Sequence, residues 1–356
     1  MNKRSSGNER LIFIDSLRGL ASLSVLGFHF YNAIFVAKRL TTPRFIHWIF
    51  IHGELGVQVF FVLSGFVIAK SINYPGLNAR YMGIFILRRA TRLDPLYWVI
   101  IFLTVLFYIY TSRGMPGLVT ILMNGLYLDN LLNYHSLVPV GWTLQYEFQF
   151  YLVFIFLSYL FFGLIKMSFN FSMILFLPLL LLSVAVNGGW IKGLNPGLFI
   201  NYWFLFFGGI VVYWSLSEKL NKVFLWCYGV IIFLLYTFFL DPKVLTGLLT
   251  VTLIYYCGQK KKLYSWFNNR YLIFLGVISY SLYLVHPFFG NKSLRMLVAK
   301  FEFSVLTSWV LFIVAVIAII ALAYIFFLII ESPSLQLSKW IGMKFNKNGR
   351  TKVSTL

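Results

Sequence analysis

Residues 12–37 read IFIDSLRGLASLSVLGFHFYNAIFVA. A membrane helix needs about 20 predominantly apolar residues, and this run is the first of ten that meet or approach that length. They fall at about 12–37, 49–69, 83–111, 147–165, 171–187, 198–217, 222–240, 244–258, 271–291 and 304–330. A shorter apolar piece near 118–128 either spans or lies at the interface, and if it spans, every later segment inverts. The whole composition points the same way. Of 356 residues, 60% are hydrophobic and 11% charged, where a soluble domain carries about 25% charged residues. The expectation is an all-α, polytopic integral membrane protein of about ten transmembrane helices, with residues 1–335 as one membrane domain and 336–356 as a basic cytoplasmic tail. The opening MNKRSSGNER is basic and polar, and the run after it has no small-residue cleavage signature, so it is expected to be a retained span.

A formal charge of +20 would suggest nucleic acid in a soluble protein. Here the basic residues lie mostly between apolar runs, where they set topology and meet anionic lipid headgroups. No nucleic-acid partner is expected. With the N-terminus inside, 21 of the 30 Lys and Arg residues fall on the cytoplasmic side and 9 on the other, which favours both termini inside. Cys227 and Cys257 form no paired motif, and the five histidines contain no His-x-x-x-His pair. Neither a disulfide framework nor a metal site is expected.

Three groups in the first span are unusual for a membrane helix: Asp15, Arg18 and His29. Asp15 and Arg18 are three apart, so they share a face and can pair. Arg18 and His29 are eleven apart, about three turns, so they point the same way about 16 Å apart along the axis. An ionisable group at the depth of His29 faces protein or water and tends to be functional. A neutral imidazole can act as a general base; the plainer reading is a histidine bonded between helices.

Three further clusters follow. GELGVQVFFVLSGFVIAKS (53–71) carries Gln58 and Ser64, and its Gly56, Ser64 and Gly65 permit close helix contact. FILRRATRLDPLYW (85–98) carries Arg88 and Arg92 on one face with Arg89 beside them, a plausible phosphate-binding patch or a simple membrane anchor. GWTLQYEFQFYL (141–152) puts Glu147 at the start of an apolar run, accompanied by Gln145, Gln149 and the interface aromatics Trp142, Tyr146 and Tyr151. Late in the chain, His286 precedes Pro287, and Glu331 in ESPSL sits at the exit of the last span, where an arginine could pair with it.

These stretches, in this order, resemble the membrane-bound acyltransferase-3 family, whose members O-acylate bacterial surface sugars and related acceptors. The resemblance rests on IDSLRGLASLSVLGFHF, GVQVFFVLSGFVI, LRRATRLDPLYW, WTLQYEFQFYL and ISYSLYLVHP with the late ESP, and covers about residues 10–335. The family's first-span arginine and histidine correspond to Arg18 and His29. Departures are Gln58, where the family often has aspartate, and Thr143, where it commonly has serine.

The resemblance implies a bacterial inner-membrane enzyme. Acetyl-CoA is then the donor substrate, with no tightly bound cofactor, and the acceptor is a glycan or lipid-linked saccharide. In that scheme Arg18, Arg88, Arg89 and Arg92 hold the coenzyme A phosphates and His29 is the base. Glu147 orients His29 or positions the acceptor. Asp15, Gln58, Ser64, Trp142, Tyr146, His286 and Glu331 are supporting candidates. A succinyl donor is the alternative chemistry. The composition alone equally permits a transporter or flippase for a glycan or acylated lipid, or a structural subunit of a surface-polymer complex.

Overall fold

The computed structural model describes residues 10–111 and 114–350 and is helical throughout, with no strand among the described residues. In hydrocarbon every backbone N–H and C=O must be satisfied within the segment, so apolar runs of this length have little alternative to helix. The helices are α1 (Ile12–Val36), α2 (Arg44–Ser71), α3 (Ala79–Tyr110), α4 (Leu118–Gly125), α5 (Gly141–Leu164), α6 (Phe169–Asn187), α7 (Phe199–Leu216), α8 (Lys222–Phe239), α9 (Pro242–Gln259), α10 (Arg270–Val277), α11 (Ser279–Lys300) and α12 (Val305–Phe345). The α12 helix runs on to Arg350. Starts are written in capping residues: Asn78, Ser168, Asn221, Asp241, Asn269 and Ser304 each accept a backbone N–H of the first turn, which satisfies donors the helix leaves free.

Among the described residues, eight helices are long and apolar enough to cross a membrane, and a ninth arises if α10 and α11, bent by 61°, form one span. The remaining expected span, α9, has 18 residues but opens on Pro242–Lys243 and closes on Gly258–Gln259, and it falls short of the apolar stretch that each of the eight carries. The piece near 118–128 resolves into the eight-residue α4, about 12 Å long, too short to span. Its buried Asn124 bonds the carbonyl of His135 and the backbone N–H of Leu137, so it closes a loop. The polar stretch after Ser334 continues the last span as helix and lies along α3.

The core is centred on α7, the most buried span, while α12 is the least buried and faces outward. Two glycine pairs set the closest crossings. A Cβ on Gly65 would lie 1.9 Å from the Phe206 carbonyl, and one on Gly209 2.0 Å from the Val62 carbonyl. Between α1 and α10, a Cβ on Gly19 would meet the Leu272 carbonyl at 2.1 Å and one on Gly276 the Asp15 carbonyl at 2.0 Å. Small residues let membrane helices approach to backbone contact, and these two seams hold α1 and α2, which carry the polar residues, against α10 and α7.

Candidate functional site

Arg18 faces inward. It lines a small cavity of 40 Å³ with Arg89 and Arg92 from α3, Ser64 from α2, Glu147 and Tyr151 from α5, and Tyr280 from α11. Arg89 donates to the Ser71 hydroxyl at 3.0 Å and lies over the rings of Phe85 and Tyr151. Glu147 accepts from Ser64 at 2.6 Å and from Tyr151. Among the described residues Arg18 has no hydrogen bond or ion pair, and the buried Nε of Arg92 has no hydrogen-bond partner. The cluster therefore holds three guanidinium groups against one carboxylate, with donors left over for an anion.

Arg18, Glu147 and Tyr280 also line a second cavity, of 60 Å³, next to the first. Thr143 donates to the Tyr283 hydroxyl at 3.0 Å on its wall. Val57 and Tyr283 are shared with a third cavity, of 780 Å³. This large chamber contains His29, Gln58 and Trp142. Its volume is that of a site for a substantial ligand. Three cavities in series thus follow α1 from Arg18 to His29.

His29 has no hydrogen-bond partner among the described residues. Its ring neighbour is His286, with centroids 5.0 Å apart. His286 is buried, and its Nδ1 lies 3.0 Å from the Leu282 carbonyl. A nitrogen bonded to a carbonyl must carry the proton, which leaves Nε2 as a lone-pair acceptor, buried and unpartnered. The Oε1 of Gln58 and the Oδ1 of Asn291, both on the chamber wall, are also buried acceptors without partners. Two of these orphaned acceptors, on Gln58 and Asn291, thus belong to the chamber that His29 lines, and a buried polar group left unbonded is costly. His286 opens a π-helical segment, His286–Asn291, a distortion often found at functional positions. The 61° bend between α10 and α11 falls at Ile278, and not at Pro287.

Several candidates stand elsewhere than expected. Asp15 pairs with Arg10 at 2.5 Å and not with Arg18, because the segment before α1 folds back over its first turn. Arg88 donates to the Ser338 carbonyl at 3.1 Å while its own carbonyl accepts from the Ser338 hydroxyl. Arg89 and Arg92, three apart, take the inward face and turn Arg88 outward. Glu147 lies six residues inside α5, which starts at Gly141, and it bonds Ser64 and Tyr151; no hydrogen bond joins it to His29. Glu331 accepts from the backbone N–H and the hydroxyl of Ser281 and from no arginine. Tyr146 donates to the Pro196 carbonyl at 2.5 Å and so pins α5 to a loop. The accompanying Gln145 donates to Asp129, whose carboxyl is pushed up by burial, and Gln149 bonds Gly197 and Phe199. Tyr280, Tyr283 and Asn291 carry no signal in the sequence beyond their closeness to His286, yet all three line the cavities. Among the described residues no group of acidic, histidine or cysteine side chains could hold a metal ion.

Comparison with known proteins agrees with this architecture. A protein of Acidianus two-tailed virus named "Putative acetyltransferase ORF330" is 25% identical over 289 residues, covering 77% of this chain and 81% of its own length. No solved structure matches. The sequence profile of the acyltransferase domain family of acyltransferase-3 type matches residues 11–328, which takes in α1 through the last membrane span with every cavity-lining residue named above. This multi-pass, all-α membrane protein is therefore a member of the acyltransferase-3 family.

Proposed function

We propose that the protein is an acyl-CoA-dependent O-acetyltransferase. It moves an acetyl group from cytoplasmic acetyl-CoA to a hydroxyl of a surface polysaccharide or lipid-linked glycan. Residues 1–335 form the acyltransferase unit and 336–356 a basic cytoplasmic tail. Counting the eight long apolar helices, the bent α10–α11 pair and α9 gives ten spans, with both termini inside, in a bacterial inner membrane. The observation that carries the reading is the series of cavities joining Arg18, Arg89 and Arg92 to His29. Arg18 and His29 are separated along α1 by about 16 Å, a span suited to the flexible arm between the phosphates and the thioester of coenzyme A.

In this reading the three arginines hold the phosphates, since guanidinium groups match phosphate geometry. Glu147, fixed by Ser64 and Tyr151, offsets part of the positive charge of Arg18 and Arg89 and takes no proton from the acceptor. The thioester reaches the region of Tyr283 and His29. His29 accepts the proton of the acceptor hydroxyl as its oxygen bonds to the thioester carbonyl carbon; the carbon–sulfur bond breaks and the thiolate of coenzyme A leaves. His286, whose ring lies beside that of His29, is the group we assign to orient the base, its Nε2 receiving an N–H from the imidazole of His29. Family membership favours this over the transporter reading.

The test is release of free thiol from acetyl-CoA by protein in lipid nanodiscs, dependent on a glycan acceptor. Arg92→Ala is expected to raise the KM for acetyl-CoA ten- to a hundredfold, on the order of one lost charge-assisted bond. Arg88→Ala, which faces Ser338, is expected to change it less than about twofold. Equal effects at the two positions would remove the inward cluster from donor binding. No thiol release from any acyl-CoA with any glycan fraction would return the balance to transport.

A further inference from the structure

The large chamber lies at the far end of the cavity series from the arginine cluster, and part of its lining is charged. Lys243, at the start of α9, and Lys292 and Arg295, on α11, contribute to the lining, against a single carboxylate, Glu54. They come from two segments far apart in sequence that meet in one cavity lining. Arg295 is close enough to His29 for their charges to interact. The ammonium of Lys292 lies 3.2 Å from the centre of the Phe107 ring, which holds it against the chamber wall. Neither Lys243 nor Arg295 has an ion-pair partner among the described residues. Lys38, which does not line the chamber, is paired with Glu302 at 2.8 Å.

In the proposed topology these residues lie on the translocated side, where basic residues are disfavoured. Three of them in one cavity lining oppose that bias, and the gain that offsets it is sought in a ligand. Clefts lined by one sign of charge raise the local concentration of opposite charge. Resting on the acyltransferase reading, which makes this chamber the acceptor site, we propose that the acceptor is anionic: a glycan bearing carboxylates or phosphates, held by Lys243, Lys292 and Arg295 while one of its hydroxyls reaches His29.

Binding without any acyl donor tests this separately from catalysis. In nanodiscs of zwitterionic lipid, the probes are an oligogalacturonate, farnesyl diphosphate and neutral maltohexaose, each titrated at low and high salt. At least one anionic probe is expected to bind about tenfold tighter than maltohexaose, with salt weakening it. That preference is expected to collapse in the Lys243→Gln, Arg295→Gln double variant, whose two sites are exposed and whose thermal unfolding midpoint checks that it folds. Preference for oligogalacturonate identifies sugar carboxylates, and preference for farnesyl diphosphate a lipid-carrier phosphate. No preference for either, or a preference that survives in the variant, overturns the proposal. So does a variant that keeps its acceptor preference but loses transfer from succinyl-CoA selectively over acetyl-CoA, because the cations would then serve the acyl carboxylate. Failure of thiol release with anion binding intact counts against the acyltransferase reading alone.

Discussion

Replacing His29 with alanine is expected to lower acceptor-dependent thiol release by about 10²- to 10⁴-fold, the usual contribution of a positioned general base. The fold should survive the change. His29 makes no hydrogen bond among the described residues, and its side chain borders the 780 Å³ chamber instead of filling a packed core, so the truncation enlarges an existing space. The unfolding midpoint of the purified variant should stay within a few degrees of the parent. Binding of acetyl-CoA should also persist, because the arginine cluster lies about three helical turns away. A variant that transfers acetyl at the parent rate would exclude His29 as the base. His286→Asn gives a graded companion: if His286 orients His29, kcat falls while the KM for acetyl-CoA does not.

The second large effect concerns folding. Gly209→Val is expected to abolish the monodisperse, folded protein in detergent. Its Cβ would lie 2.0 Å from the Val62 carbonyl and 2.6 Å from the Phe66 nitrogen. These are backbone atoms of α2, so relief requires the helices to part along their whole seam. Overpacking a core typically costs 1–3 kcal/mol where side chains can shift, and here none can. Gly229→Ala is the control: nothing lies within 4 Å of its Cβ, and removing a mid-helix glycine should stabilise by about 0.5–1 kcal/mol. Size-exclusion profiles and thermal unfolding of the two variants read the difference directly. A folded Gly209→Val would mean that the α2–α7 seam is looser than its backbone contacts imply.

Much of this architecture is legible in the sequence, because the bilayer imposes simple rules. Apolar runs of sufficient length become helices, and capping residues such as Asn78 and Ser304 mark their starts. The shared direction of Arg18 and His29 follows from helix geometry alone. What escapes is whatever depends on a second helix. Glu147 reads as the start of a span because an isolated carboxylate is costly in a membrane; the hydroxyls of Ser64 and Tyr151, which come from α2 and from its own next turn, make a deeper place tenable. Arg88 and Arg92 share a helix face in sequence, but α12 lies alongside α3 and captures Arg88, leaving Arg89 with Arg92 on the inner side. Glu331 and Ser281 are fifty residues apart, and no local pattern joins them. The chamber itself is a property of several helices together, so the gathering of Lys243 with Arg295 carries no signal in either segment.

The bond between Arg88 and Ser338 has a bearing on the order in which the protein is completed during its synthesis. Residues of α3 leave the ribosome well before those of α12, yet the half of α3 that carries Arg89 and Arg92 is braced by the helix around Ser338. Nascent chains fold from the N-terminal side as they emerge, so this arginine face waits, unsupported, until translation is nearly over. An unfinished chain would therefore hold both ends of the cavity series in membrane while the outer face of α3, where Arg88 lies, is still uncovered.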